Sequence, residues 1–113
     1  MGILVECVDR YGRQVTLSEE RWIEHVLPEH PMLHGREVMI PVVLAAPDVV
    51  TRDVENANRR CFYRRRVLPD QPHLFVKVVV EYASGVDGKA PTGIVITAYP
   101  TPRAKRLEDQ IWP

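Results

Sequence analysis

The spacing of apolar residues changes character twice along the chain. "ILVECV" and the end of "DRYGRQVTL" have strand character, and Gly12 lies in a turn between them, so the N-terminal segment predicts a β-hairpin. The spacing then becomes helical, with Trp22, Ile23, Val26 and Leu27 on one face. Ser18 stands at the N-cap, and Glu19 and Glu20 occupy the first turn, where the helix dipole favours carboxylates. Leu17 and Trp22 have the spacing of a hydrophobic staple, and Pro28 ends or kinks the helix. "EHPMLHG" reads as a connection. "REVMIPVVLAAPDVV" is apolar and of helical length, with Pro47 as its stop; Pro41 leaves open a kinked helix or one that starts close to Pro41.

After Pro47 the pattern turns to strands: "DVVTRDV", "RRCFYRRRVL", "HLFVKVVVEYA" and "GIVITAY" are rich in β-branched and aromatic residues. "SGVDGKAPT" reads as a polar, mobile loop. Pro100 and Pro102 take the tail out of the sheet, with a short helix expected around Ala104 to Ile111. The order predicts an α+β fold in one domain spanning residues 1–113. Two N-terminal helices pack on one face of an antiparallel sheet made of the N-terminal hairpin and a C-terminal meander, and residues 103–113 form a tail.

Strand alternation assigns the faces. Leu74, Val76, Val78, Val80 and Tyr82 form the more apolar side and should meet the helices, leaving His73, Phe75, Lys77, Val79 and Glu81 on the other. Ile94, Ile96 and Ala98 would join the core, with Val95, Thr97 and Tyr99 on the open face. Cys61 and Tyr63 as core members would place Arg64 outside. The open face then carries Lys77, Thr97, Tyr99 and at least one arginine.

Composition changes this picture in only one respect. Fifteen basic residues balance fifteen acidic ones, so no global field draws the chain to polyanions. Charge is nevertheless segregated, with six arginines between Arg52 and Arg66 against Asp53 and Glu55. Five of them lie in "RRCFYRRR", which reads either as an edge strand protected by charge or as a phosphate-contacting surface. Twelve arginines to three lysines suits phosphate gripping, and a GC-rich coding sequence explains the bias as well. Cys7 and Cys61 lack zinc-type spacing and read as reduced thiols of a cytoplasmic protein. The N-terminus has the character of neither a signal peptide nor a membrane span. His30 and His34 are four apart, but Pro31 disfavours the helix that would bring them together and no third ligand is evident. Neither a metal nor a cofactor is expected.

"RYGRQVTLSEERWIEHVLPEHP", "VVLAAPDVV", "LFVKVVVEY" and "GIVITAYPT", in that order, resemble the phage-associated branch of the barnase/EndoU/colicin/RelE-like nuclease superfamily. The most specific parts are Arg21–Trp22 with His25, His30–Pro31, and the Ile96–Tyr99 segment; the helix-then-meander plan also resembles BrnT-like toxins. The resemblance implies a metal-independent ribonuclease, toxin-like and from a mobile element, in which a 2′-hydroxyl attacks its neighbouring phosphate. Such chemistry needs a base, an acid and a cation. The resemblance nominates His25, His30, Lys77, Thr97 and Tyr99 as catalytic candidates, and Arg60, Arg64 and Arg65 as substrate ligands. It implies RNA as partner, with tRNA or ribosome-associated mRNA as candidate targets and an antitoxin or immunity protein as a candidate regulator. A non-catalytic relative of the same fold, binding a protein or nucleic acid, is the alternative. The protein is expected to be a monomer or a homodimer, the latter joined through an exposed edge at Arg59–Arg66.

Overall fold

The computed structural model describes residues 2–83, 88, 91–103 and 109–113 of the chain. Strands β1 (Ile3–Val8) and β2 (Gln14–Ser18) form the expected hairpin, with Gly12 at φ 79° in its turn. The Ser18 hydroxyl accepts a hydrogen bond from the Arg21 amide at 3.0 Å, which starts helix α1 over residues 19–29. Leu17 and Trp22 are both buried, as a staple requires. The middle of α1, Trp22–Val26, is wound as a π-helix, and the Leu27 amide donates to the Trp22 carbonyl. Pro28 follows directly. It has no amide hydrogen for the Glu24 carbonyl, and its ring crowds that carbonyl, so the preceding turn widens. The widened turn buries Trp22 and Val26 but leaves Ile23 exposed, contrary to the regular helical spacing. α1 ends at Glu29, and a 3₁₀ turn, Pro31–Leu33, follows.

Helix α2 (Met39–Ala45) starts close to Pro41, which sits in its first turn where amides have no intrahelical partner. Strands β3 (Val49–Arg52), β4 (Arg59–Arg65), β5 (Phe75–Ala83), β6 (Thr92–Thr101) and β7 (Asp109–Trp112) complete one seven-stranded sheet. Its order is β1-β2-β6-β5-β4-β3-β7. Every neighbouring pair is antiparallel except β2–β6, which is parallel.

The expected α+β plan, two helices packed on one face of an antiparallel sheet, does not hold. The chain is mostly sheet, the sheet is mixed, and beside α1 there is only the seven-residue α2 among the described residues. The prolines limit the helices, and β2 enters the sheet parallel to a strand from the far end of the chain. The tail also differs. Pro100 lies within β6, beyond the last β2–β6 pair, Thr16–Ile94, at a proline-tolerant edge position. Asp109–Trp112 returns to the opposite edge as β7, where it pairs with β3, so the part of the expected tail helix that is described is strand. Residues 104–108 of that expected helix, and most of the "SGVDGKAPT" loop, lie outside the described residues.

The main core lies on the side of the sheet where Trp22, Val26, Ile40, Val43 and Leu44 meet Val76, Val78, Val80 and Tyr82. A smaller cluster of Cys61, Tyr63, Phe75 and Val79 occupies the other face, with Val49 and Ile96 packed against it. A bulge separates the faces in a way alternation cannot show. Val79 pairs with Thr97 but Val80 with Val95, leaving Ile96 as the extra residue. Ala98 and Val95 therefore both enter the main core, while Ile96 joins the smaller cluster and Ile94 is exposed.

Strand β4 is not an edge: β5 flanks it on one side and β3 on the other. Edge protection therefore does not explain "RRCFYRRR", and a homodimer joined by strand addition at Arg59–Arg66 has no free edge to use.

Candidate functional site

The face opposite the helices carries a cross-strand row of functional side chains. Tyr99 pairs with Lys77 and Lys77 with Tyr63, so all three side chains point the same way. The Lys77 ammonium lies 5.4 Å from the Tyr63 ring centroid and 5.6 Å from that of Tyr99. Phe75 meets Tyr63 edge-on at 5.9 Å, and the Arg65 guanidinium covers Phe75 at 4.3 Å. Thr97 occupies the neighbouring row, paired with Val79.

His30 completes the row from outside the sheet. α1 continues past Pro28 until the His30 amide donates to the Val26 carbonyl, and Pro31 then disfavours a helical conformation in the residue before it, so His30 leaves the helix at φ −134° and ψ 65°. β2 pairs with β6 only as far as Thr16–Ile94, and the imidazole reaches Tyr99 past that point. The two rings stack with centroids 5.2 Å apart and planes 21° from parallel. His30 is partly exposed, its Nε2 3.9 Å from the Glu29 carboxylate. Lys77, by contrast, is only 4% exposed.

The other nominated residues do not converge on this row. His25 is exposed on α1 beside Glu20 and Glu24, and one ligand atom from each lies within 4.8 Å of the others. Spacing of one helical turn on a solvated face accounts for that grouping. Arg64 pairs with Val76 of the main core, so it points to the helix side and donates to the Ala46 carbonyl at the end of α2. This reverses the expected pairing of Arg64 with Lys77: Cys61 and Tyr63 are core residues, but of the second cluster, on the Lys77 face. Arg60 pairs with Val80 and also lies on the helix side. Of the three nominated arginines, Arg65 alone shares the face of Lys77 and Tyr99, and its own amide is anchored to the Asp48 carboxylate at 2.8 Å.

A second polar centre was not nominated from the sequence. The Asp9 side chain is fully buried and accepts from the Tyr11 amide at 2.8 Å, and from the Arg13 amide and Nε at 2.9 Å each. The Tyr82 hydroxyl adds a fourth bond at 2.5 Å. Burial, followed by the hydrogen bond and charge of Asp9, pushes the Tyr82 pKa well above its usual range. Burial and Asp9 also raise the pKa of Cys7. Gly93 makes this arrangement possible: a Cβ there would stand 2.6 Å from Val80 Cγ1 and 2.8 Å from Tyr82 Cε1. The Tyr82 ring thus crosses β6 where no side chain obstructs it and meets the hairpin turn. A tyrosine on an otherwise apolar strand face was the available signal, because a buried hydroxyl needs a partner.

No protein-family model matches this chain, and neither a curated protein nor a solved structure matches it significantly. No helix among the described residues is long and apolar enough to cross a membrane.

Proposed function

We propose that the protein acts on RNA at the His30–Tyr99 edge of the sheet, cleaving it without a metal. The observation that carries this reading is the stack of the partly exposed His30 ring on Tyr99, with the Lys77 ammonium 5.6 Å from the Tyr99 ring. A histidine titrates in the range a general base needs, and a tyrosine hydroxyl can serve as acid. His30 takes the proton of the 2′-hydroxyl, whose oxygen forms a bond to phosphorus. The bond from phosphorus to the 5′-oxygen breaks, and Tyr99 protonates the leaving oxygen, giving a 2′,3′-cyclic phosphate and a 5′-hydroxyl. Thr97 orients a phosphate oxygen, while Lys77 and Arg65 supply positive potential as charge develops. His25, Arg60 and Arg64 have no role in this scheme. A toxin-like protein from a mobile element, working in the cytoplasm on tRNA or ribosome-associated mRNA and restrained by an antitoxin or immunity protein, is the biological setting proposed.

One observation favours a second reading, RNA binding without turnover. Lys77 is 4% exposed, so its field reaches a ligand while its ammonium makes little direct contact. Labelled single-stranded RNA incubated with protein in excess EDTA separates the two. Cleavage predicts fragments with 2′,3′-cyclic ends, lost in His30→Ala and Tyr99→Phe and retained in His25→Ala. Saturable fluorescence anisotropy without fragments would establish the binding reading. Absence of both would refute RNA as the ligand.

A further inference from the structure

Arg52 and Arg60 on the helix-facing side of the sheet, with Arg13 of the adjoining hairpin turn, form a group of arginines that the RNA reading leaves unused. Arg52 and Arg60 stand directly opposite each other across β3 and β4. Like charges in that position repel and destabilise the sheet. Arg13 adds a third positive charge from the hairpin turn, and with Arg60 it lines two cavities of about 190 and 330 Å³. The neighbouring carboxylates are already committed. Asp9 is saturated by its four donors, and Asp109 pairs with Arg52 at 3.4 Å. Arg60 has no carboxylate partner among the described residues; it donates to the backbone carbonyls of Ala57 and Arg59 at 2.6 and 3.2 Å. Burial, then Arg13 and Arg52, lower its pKa from the ordinary value, as expected for a cation confined among cations.

The groups around this site are held by several contacts. The Arg13 guanidinium is held by Asp9 and lies 4.0 Å above the Tyr82 ring and 4.8 Å from that of Tyr11. The turn itself is tied down through the Arg10 amide, which donates to the Leu44 carbonyl at 2.8 Å. The Arg10 guanidinium also covers the Trp112 ring of β7 at 3.9 Å. Tyr11 and Ile111 form an apolar wall to the larger cavity.

We propose that Arg13 and Arg60, supported by Arg52, form a phosphoryl-binding site, with the exposed Tyr11 ring placed to stack on a base attached to the phosphate. Planar guanidinium forks match phosphate oxygens, and a dianion there gives Arg60 the anionic partner that Arg13 and Arg52 already have in Asp9 and Asp109. The site lies on the opposite face of the sheet from Tyr99 and does not depend on RNA cleavage. Two sources share this chemistry, inorganic phosphate and a nucleoside monophosphate.

Isothermal titration of the full chain with inorganic phosphate and, separately, with adenosine 5′-monophosphate tests the site. Saturable binding at one site per chain is expected, weakened about tenfold or more in Arg60→Gln, the worth of one charge-assisted hydrogen bond. Arg52→Gln, at an exposed position on the sheet, should weaken binding in the same direction and covers the case of a poorly folded Arg60 variant. Arg21→Gln, on α1, should leave it unchanged. Tighter binding of the nucleotide, with the difference erased by Tyr11→Ala, identifies a nucleotide site; equal affinities identify inorganic phosphate. No saturable heat with either probe, or equal weakening by Arg21→Gln, would overturn the proposal.

Discussion

Replacing Tyr82 by phenylalanine isolates one interaction between elements distant in sequence. Tyr82 is 7% exposed, and its hydroxyl donates at 2.5 Å to the fully buried Asp9 side chain, 73 positions away. Phenylalanine keeps the ring that packs over Gly93 and under the Arg13 guanidinium, so the change removes the hydrogen bond and little else. A hydrogen bond to a charged group contributes about 1.5–3 kcal/mol. Asp9 keeps three other donors, from Tyr11 and Arg13, which places the expected loss at the lower end, about 1.5–2 kcal/mol. For a domain of this size that lowers Tm by about 6–8 °C. The pH dependence gives an independent signature. The folded-state pKa of Tyr82 is raised above its unfolded value by burial and by Asp9. Its contribution is therefore fully present below the unfolded tyrosine value of about 10 and is lost as pH rises from there through the folded pKa. Urea unfolding followed by circular dichroism should show a constant gap between wild type and Tyr82→Phe from about pH 7 to 9. Above about pH 10, wild-type stability should fall more steeply than that of the variant. A loss below about 0.5 kcal/mol at neutral pH, or parallel curves at high pH, would refute this account of the Asp9–Tyr82 bond.

Gly93→Ala should cost about 1–3 kcal/mol in the same unfolding assay, because the new Cβ overlaps Val80 and Tyr82. Its effect should be non-additive with Tyr82→Phe, since both act on one ring position. Ser18→Ala removes the α1 cap and should lower stability by about 1 kcal/mol, with Ser18→Asp restoring most of it. The Cys7 thiol, its pKa raised by burial and by Asp9, should react with a disulfide reagent more slowly than free cysteine near neutral pH. Its rate should climb only above about pH 8.5, and half-maximal reactivity below that value would contradict the assignment.

Local features were legible because local forces set them. Turn chemistry at Gly12 and the Ser18 cap appear where their spacing puts them, and Leu17 and Trp22 are buried in one core cluster. The alternation of β5 likewise separated Val76, Val78 and Val80 from Lys77 and Phe75, and so placed Lys77 on the face opposite the helices. For the candidate site, Lys77, Thr97 and Tyr99 could be put on one face from sequence, but the stacking of His30 on Tyr99 could not. That contact requires β2 to stop pairing at Ile94 and the prolines around His30 to turn it toward β6.

What sequence determined by itself was the conformation of short segments, where propensity, capping and period outweigh distant contacts. Tertiary structure alone decided which strands pair, and with that which side chains meet. The extra residue Ile96 reverses the alternation within β6; β7 closes the far edge; and β4 becomes an interior strand. Contacts such as Asp9 with Tyr82 and His30 with Tyr99 form only once separate elements pack, and no single segment announces them. A period-two pattern carries no information about the strand that will lie beside it.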